Sequence, residues 1–471
     1  MSHTTSDEEK LPLDISNEQI GTDSSAFESS PENIKHEPFN PLARETSHIS
    51  TVSAAPSLPH VPPDGGLHAW LKVLGGFLIY SNIWGFTLSF GAFQTYYQHV
   101  LLSDSTASAI SWIGTVQSYL LILVGVIAGP MFDKGYFRSM LFVGNFLVVF
   151  GIMMLSLCTT YWQVFLAQGV CMGLGAGLLY IPSLALVGIY FSRKRSLAMG
   201  IVTSGIAVGG VAYIITFDRL TKSSGFPWAL RVMGFIALGI SLASFPALLS
   251  GTSILKVPRK ARKLFDASAW RDPLFLVFTA SSFCCFLGYI TPYFFIPTYA
   301  QDALGLSQTF ALYILVISIT GSFLGRLLSG YLAHYLGANF TWIICSFLAG
   351  LLSLCWIAVD SKAAFIAWAV LWGLFSAGLV TLPGSCFPNV CPDLSLLGTR
   401  LGMSWGVSSV STLIGAPIAG ALLTTRRVDG REKTDFLGVQ LWSGVCLLVG
   451  SCVLIVLHTM TRKKQNKGIF I

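Results

Sequence analysis

Long apolar runs separated by short polar turns make up most of this chain. From residue 71 onward, each run holds about 20 continuously apolar residues, the length that an α-helix needs to cross a bilayer. Polar and apolar positions do not alternate within the runs, which excludes a transmembrane β-barrel. The pattern predicts an all-α polytopic membrane protein with twelve transmembrane helices, at residues 71–97, 108–130, 138–158, 161–187, 196–217, 228–250, 273–299, 308–334, 338–358, 363–388, 398–423 and 437–460.

Composition supports this prediction and separates the beginning of the chain from the rest. Of the 471 residues, 53% are hydrophobic and 11% are charged, and the mean hydropathy is +0.67. A soluble domain carries about 25% charged residues. The first 60 residues hold ten acidic and three basic side chains, so they carry −7 and the remainder +14. This polar segment has no apolar signal-peptide core, which predicts a disordered, acidic cytoplasmic tail over residues 1–63.

The distribution of cations predicts the orientation in the membrane. If the N-terminus lies inside, the inner loops and the C-terminal tail hold sixteen Lys and Arg residues, and the outer loops hold eight. Cations concentrate on the cytoplasmic side of membrane proteins, so both termini are predicted to be cytoplasmic. The basic outer loop 424–435 argues against this orientation. The expected location is the plasma membrane, with the vacuolar membrane as the alternative.

Two pairs of similar segments predict an internal duplication. Residues 173–182 (GLGAGLLYIP) and 373–383 (GLFSAGLVTLP) align at an offset of 200, with one extra residue in the second segment. Gly129 likewise matches Gly330 at an offset of 201. Two six-helix halves built on one plan are typical of transporters, whereas chance likeness of glycine-rich segments is the alternative. The predicted regions after the tail are a six-helix bundle at 64–250, a basic linker at 251–272, a second bundle at 273–460 and a short basic tail at 461–471.

Three short segments carry residues suited to a conformational switch. In the loop at 129–138, a carboxylate, a turn glycine and a cation can tie helix ends together in one conformation and release them in another. Small residues at helical spacing let a neighbouring helix approach closely, and cations hold a loop at the lipid headgroups. An ordinary capped helix start and a solvated turn are the simpler alternatives. The residues given this gating role are Asp64, Gly65, Gly66, Trp70, Gly129, Asp133, Gly135, Arg138, Arg193, Arg195, Gly200, Gly205 and Gly209.

Arg326 is the clearest intramembrane ionisable residue in the predicted helices. It lies eight residues before His334, about 12 Å from the helix end at 1.5 Å per residue. None of the 22 Asp and Glu residues lies well inside a predicted helix, and an unpaired guanidinium is costly in lipid. An anionic substrate could pair with Arg326, because two oxygens match its planar fork. Snorkelling to the interface or bonding to carbonyl groups is the alternative.

Other polar side chains within the predicted helices could line a cavity for an oxygenated, partly aromatic molecule. Packing between helices is the alternative for each. The candidates for substrate binding beside Arg326 are Tyr80, Asn82, Gln94, Gln117, Tyr180, Tyr289 and Tyr293. Because no intramembrane carboxylate is visible, three coupling schemes stay open. The proton travels on the substrate's own carboxyl, a residue at a helix end couples it, or transport is uncoupled.

Two signatures in this sequence resemble those of the monocarboxylate transporter family within the major facilitator superfamily. The first is DGG followed by Trp70, and the second is YFSRKRSLAMG at 190–200, continuing to Gly205 and Gly209. The loop at 129–138 is similar to the superfamily's loop between helices 2 and 3. The long acidic N-terminal tail is similar to that of fungal members. The resemblance implies twelve helices in two bundles, alternating access and a central site for small organic anions.

The same resemblance implies a role for Arg326 and shows two departures. Arg326 with Gly330 corresponds to the family's helix 8 arginine, which engages the substrate carboxylate. Lactate-type members carry an aspartate where this chain has Ser322, and a lysine in helix 1 where it has Phe90-Gly91-Ala92. The set of residues for proton–lactate symport is thus incomplete. A larger metabolite is therefore a candidate substrate.

The prediction for function is a secondary active transporter of a small organic anion or carboxyl-bearing metabolite. The alternatives are an exporter of a fungal secondary metabolite without classical proton symport, and a membrane sensor that does not transport. No nucleophile–base set, phosphate-binding loop or metal cluster points to an enzyme, and no cofactor is expected. The ten cysteines are expected to be apolar filler. Expected partners are the small molecule, the lipid bilayer and possible protons, but no nucleic acid, and a monomer is expected to function.

Overall fold

The computed structural model describes residues 65–191, 194–250, 262–391, 393–428 and 431–465, and it leaves a few side chains within these ranges undescribed. Several predictions fall outside that part of the chain. These are the acidic tail 1–63, the linker residues 251–261, residues 466–471, Asp64, Arg193 and the side chain of Arg195. The described chain is almost entirely helical, as predicted.

The first half of the described chain is a series of α-helices with two π-helical turns. The π-helical turns are Tyr97–Leu101 and Phe165–Met172. The α-helices are α1 (Leu67–Leu88), α2 (Phe90–Tyr96), α3 (Ala107–Asp133), α4 (Phe137–Leu155), α5 (Tyr161–Val164), α6 (Gly173–Tyr190) and α7 (Arg195–Leu249).

The second half begins with a 3-10 turn at Ala267–Arg271 and has another at Trp356–Ala358. Two antiparallel strands, β1 (Thr424–Val428) and β2 (Arg431–Asp435), form a hairpin before the last helix. The α-helices are α8 (Pro273–Asp302), α9 (Gln308–Leu336), α10 (Ala338–Cys355), α11 (Lys362–Ser376), α12 (Gly378–Val390), α13 (Leu394–Ala421) and α14 (Leu437–Gln465).

Polar caps mark where several of these helices begin. The side chains of Thr106, Ser307 and Ser361 accept hydrogen bonds from backbone N–H groups of the first turns of α3, α9 and α11. Asp272 does the same for α8, whose first residue is Pro273, a residue that needs no hydrogen-bond partner for its nitrogen. These caps fix the ends of apolar helices at the membrane boundary.

The described residues have helices at all twelve predicted positions. Ten helical segments are long and apolar enough to span a bilayer. One of them contains most of α7, which breaks at Gly225 (φ 80°) into two arms, and α13 adds a further helix of 28 residues. With an even number of crossings, Gly65 and the end of α14 lie on one side, here called the terminal face. The other side is called the opposite face.

The structure differs from the sequence prediction at the loops 218–227 and 424–435. The loop expected at 218–227 is mostly helical, so Asp218 lies within α7 and is 2% exposed, rather than standing at a helix end. A Lys222–Asp218 ion pair of 2.6 Å spans one turn and supports the extra helix. The helix predicted at 363–388 is present as one segment, Lys362–Val390, in which α11 and α12 meet at Ala377 with helical backbone angles. The hairpin of β1 and β2 was not predicted.

Matching glycine contacts hold helices together within each half. A Cβ at Gly209 on α7 would collide with the carbonyl of Ser81 on α1. In the second half, a Cβ at Gly325 on α9 would collide with the carbonyl of Leu374 on α11. Such close backbone approach needs small residues, since lipid supplies no hydrophobic force between helices. The two halves meet through α3 with α13, α7 with α9, and α2 with α8.

Candidate functional site

The opposite face is closed by direct contacts between α2 and α8. The Thr95 and Thr298 hydroxyl oxygens are 3.0 Å apart, and the Phe90 and Phe294 ring centroids are 4.6 Å apart. Gly91 lies so close to the backbone of Tyr293 that a Cβ would collide with its carbonyl oxygen. His99 in the turn after α2 and Asp302 at the end of α8 add a charged contact of 3.4 Å beside this close fit.

Two further helix pairs extend the closure of the opposite face. Ser108 on α3 donates to the carbonyl of Pro417 on α13 at 2.8 Å. Arg219 on α7 donates to the Tyr313 hydroxyl on α9 at 2.9 Å, and Lys222 contacts Thr309 on α9. All three pairs of helices that join the halves therefore touch at this face.

A cavity of about 320 Å³ lies between the halves toward the terminal face. Its walls come from the ends of α3 and α6, the start of α7 and the first half of α13. Residues 262–272, here called the strap, contribute Arg262, Lys263 and Leu264 to the same walls. These helix ends lie toward the terminal face, and so does the cavity. The opposite face is closed by contacts between the halves.

The strap is bound to both halves by charged side chains. Arg262 pairs with Asp133 at the end of α3, with Nε–Oδ2 at 2.7 Å and Nη2–Oδ1 at 3.2 Å. Its guanidinium lies between two glycines, 3.6 Å from the Cβ position of Gly129 and 3.0 Å from that of Gly398 on α13. Two hydrogen bonds on parallel N–H groups are a strong and directional arrangement. Arg262 thus joins the first half to the strap beside α13.

The other end of the strap is held by Arg400 on α13. Arg400 contacts Asp266 at 2.8 Å and Asp272 at 3.3 Å. The Ser268 hydroxyl and then the Arg400 guanidinium hold the pKa of Asp266 below its ordinary value of 3.8, because both donate hydrogen bonds to its carboxylate. The strap therefore stays ionised and paired at neutral pH.

Arg326 is buried, with 8% exposure, and bonds across the two halves. Its Nη1 on α9 donates to the carbonyl of Thr203 on α7 at 2.7 Å. Its Nε has no hydrogen-bond partner among the described residues. Tyr289, Tyr293 and Tyr80 are electrostatic neighbours of the guanidinium. The group is thus partly satisfied by a carbonyl and keeps one donor uncommitted.

Of the other predicted binding residues, one lines a pocket and several are hydrogen-bonded to other groups of the protein. Tyr180 lines a small central pocket, whereas Tyr293 bonds to Ser376 at 2.8 Å. Asn82 is bound inside the first half, where it donates to the Ala237 carbonyl and accepts from Tyr213. Two glutamine side chains are likewise bonded within the first half: Gln94 to the Ala107 carbonyl and Gln117 to the Thr87 hydroxyl. Their roles toward a substrate stay predictions.

The predicted gating residues also take different places. Gly66 (φ 84°) and Gly135 (φ 91°) adopt backbone conformations that favour glycine. Trp70 packs edge-on against Phe191, with centroids 5.3 Å apart. Gly65 and Gly200 have nothing within 4 Å of a Cβ position. Arg138 is exposed in the first turn of α4. Gly205 and Gly209 pack against α1.

Lys72 on α1 is an ionisable residue that was not among the predicted site residues. Its side chain is completely buried. Its Nζ donates to the carbonyls of Ala247 and Leu248 at 3.2 and 2.8 Å and also contacts Ser250. A cation at the last carbonyls of a helix is favourable. Lys72 therefore caps α7 where the chain leaves the first half.

Two helical halves around a cavity that is closed at one face define a polytopic membrane carrier. The model of the Major Facilitator Superfamily matches residues 73–393, and the chain belongs to this family. The chain is 39% identical to the MFS-type transporter dbaD of Emericella nidulans, over 83% of this chain and 86% of the relative.

Two similar proteins carry the word efflux in their names. The aspyridones efflux protein apdF of Emericella nidulans is 34% identical, over 90% of this chain and 85% of the relative. The agnestins efflux protein AgnL12 of Paecilomyces divaricatus is 30% identical, over 93% and 96%. The protein is thus a membrane transporter of small molecules.

Proposed function

We propose that this protein exports a fungal secondary metabolite across a membrane by alternating access. The cavity between the halves carries this proposal, because it lies toward the terminal face while the opposite face is closed. A carrier that loads from the cytoplasm needs that arrangement if the termini are cytoplasmic. The relatives whose names describe efflux favour this direction.

The switch between the two faces would use the strap. The Asp133–Arg262 pair ties the end of α3 to the strap, and Arg400 ties the strap to α13. A change in the distance between the two halves at the terminal face would act on these contacts. Arg262 is therefore the proposed partner of Asp133 in its predicted gating role. The roles of the other gating residues remain proposals.

Transport of an organic anion in the manner of monocarboxylate porters is the second candidate. The uncommitted Nε of Arg326 favours it, because a carboxylate could accept from that donor. The bond to the Thr203 carbonyl would then remain or exchange for the substrate. A secondary metabolite with an acidic oxygen would fit both candidate functions, export and transport of an organic anion. The placement in the monocarboxylate porter family is proposed on the sequence signatures alone.

The proposal also includes the membrane, the orientation of the termini, the oligomeric state and the energy source. We place the protein in the plasma membrane with both termini cytoplasmic, on the distribution of Lys and Arg residues. A monomer suffices, since both walls of the cavity come from one chain. Proton coupling is left as a choice among the three schemes that the sequence allows.

Metabolite profiling tests the proposed direction. Deleting the gene in its own organism should move at least one metabolite from the medium to the cell interior. Re-expression of the natural chain should restore secretion, whereas a Gly91→Val variant, which cannot close the opposite face, should not. If every metabolite keeps its distribution, or if one accumulates outside, export is wrong.

A further inference from the structure

A small pocket at the centre of the molecule has aromatic walls from both halves. Trp84 and Tyr180 come from the first half, and Phe286 and Trp405 come from the second. The pocket has a volume of about 30 Å³. Trp405 also lines the larger cavity of the terminal face, so the two pockets share this side chain.

The rings in this pocket are arranged for stacking. Tyr180 and Trp405 face each other across the two halves, with centroids 6.2 Å apart and planes inclined by 24°. A flat molecule between two rings needs about 7 Å, or two carbon contacts of about 3.5 Å. A separation of the halves on the order of 1–3 Å would therefore admit one aromatic layer. Trp84 stands edge-on to Tyr180 at 5.5 Å and closes the side.

Two polar atoms of the pocket walls have no hydrogen-bond partner among the described residues. They are the indole Nε1 of Trp84 and the hydroxyl of Ser408. Both atoms are shielded from solvent, where an unused donor is costly. An indole nitrogen can only donate, so its missing partner is an acceptor. The indole nitrogens of Trp342, Trp356 and Trp372 likewise have no partner among the described residues, but Trp84 differs because its ring lines a pocket that both halves share.

We propose that this pocket is a stacking subsite for a planar, π-rich part of the transported molecule that carries an acceptor oxygen. The planar part lies between Tyr180 and Trp405, and the oxygen accepts from Trp84. Because the two rings belong to different halves, a bound flat molecule holds the halves at a defined spacing. The inference rests on the proposed transport function and specifies the substrate class of the same central site.

Equilibrium dialysis with three simple probes tests the subsite. The purified full chain in phosphatidylcholine nanodiscs is dialysed against 9-fluorenone, dicyclohexyl ketone or fluorene, and uptake by empty nanodiscs is subtracted. Fluorenone is flat and has a ketone, dicyclohexyl ketone has the ketone and the same number of carbons without the flat rings, and fluorene has the rings without the ketone. Fluorenone should bind most tightly. Equal binding of fluorenone and dicyclohexyl ketone would overturn the proposal.

Substitutions then assign the binding to the two rings. Trp405→Leu should weaken fluorenone binding about fivefold, as expected for the loss of one stacking contact, and should leave dicyclohexyl ketone unchanged. Trp405→Phe should retain most of the affinity. Tyr180→Leu provides the same test from the other half if the Trp405 variant does not fold. Unchanged fluorenone binding in folded Trp405→Leu and Tyr180→Leu would contradict a stacking site.

The Trp84→Phe variant isolates the hydrogen bond because it keeps a ring and removes the N–H group. Fluorenone binding should fall about fivefold, and fluorene binding should not change. Trp162→Leu is the matched control, since this tryptophan is 61% exposed on the surface. A loss for fluorene equal to that for fluorenone would remove the acceptor from the proposal. Binding that behaves as expected while profiling shows no export would refute the transport direction and leave the subsite standing.

Discussion

Different interactions hold the two faces of this protein, of which the opposite face is closed and the terminal face has the cavity. At the opposite face, α2 and α8 fit closely, with Gly91 against the Tyr293 backbone and Thr95 beside Thr298, and one partly exposed His99–Asp302 pair accompanies this fit. At the terminal face, a separate piece of chain is held by ion pairs, Arg262 with Asp133 and Arg400 with Asp266. We expect the first closure to depend mainly on side-chain volume and the second mainly on single charges. Substitutions that separate these sensitivities therefore test the comparison.

The largest effect is expected at Arg326, which lies between the two faces and bonds α9 to α7. Arg326→Ala should reduce transport to background, because both the interhelical bond and the cation near Tyr289 are lost. Arg326→Lys should restore only part of it, since an ammonium has no planar fork. Flux is measured in reconstituted vesicles with the metabolite identified by profiling. Normal flux in a correctly inserted Arg326→Ala protein would remove the arginine from the mechanism.

The next effect is expected at the opposite face. Gly91→Ala places a Cβ against the Tyr293 carbonyl, and overpacking of this kind costs about 1–3 kcal/mol. This cost shifts the equilibrium away from closure of the opposite face by roughly fivefold or more. Hydrogen exchange of residues 90–101 and 292–302 should become faster, while exchange of the strap should not. Gly384→Ala, where nothing lies within 4 Å, is the matched control.

An opposite result would change the comparison. If Gly91→Ala leaves exchange at residues 90–101 unaltered, the two halves can adjust to the extra volume, and closure of that face is not a matter of close fit. Faster exchange at the strap as well would show that the faces open together.

The sequence predicted the helical architecture because continuous apolar runs of membrane length leave few other structures. Arg326 was also found from sequence, since a cation within an apolar run stands out by itself. Arg262 was counted only as one of many loop cations, because its pairing with Asp133 joins positions 129 residues apart. Likewise, nothing local distinguishes Lys72 at a helix start from an interfacial lysine. Its acceptors are the end of α7, 175 residues further along the chain.

The central pocket was only partly predictable for the same reason. Tyr180 was a candidate as a polar aromatic residue inside a helix. Trp84, Phe286 and Trp405 are common apolar residues in their helices, and only the packing of the two halves brings them together. The hairpin of β1 and β2 was not predicted because its strands lie in a polar, charged loop, where the pattern of apolar runs carries no signal.

A smaller effect is expected at the terminal face. Asp133→Asn removes the charge opposite Arg262 and keeps the shape, so the strap should loosen and the rate of switching between the faces should fall about three- to tenfold. Substrate affinity should change less than this rate. Exchange measurements on residues 262–266 and vesicle flux report the two quantities. Arg262→Gln should give the same phenotype, and the double variant should be no worse than either single variant.

The neighbouring exposed Lys134 supplies the control for this prediction, because Lys134→Gln changes loop charge without touching the ion pair. Equal effects of Lys134→Gln and Asp133→Asn would show a general response to loop charge. Additive losses in the double variant would show that Asp133 and Arg262 act separately.

The smallest effect is expected from pH at the strap's second anchor. The pKa of Asp266 lies below its ordinary value of 3.8, so its pairing with Arg400 is fully present above that value and is lost only as the pH falls through the lowered pKa. Exchange of residues 266–272 should therefore be the same at pH 7 and pH 5 after correction for the intrinsic rate. Asp266→Asn should raise exchange equally at both pH values, because the ionised partner is then absent throughout. A strap that loosens between pH 7 and pH 5 in the natural chain would mean that a group other than Asp266 controls it, and the terminal face would then respond to protons as well as to charge substitutions.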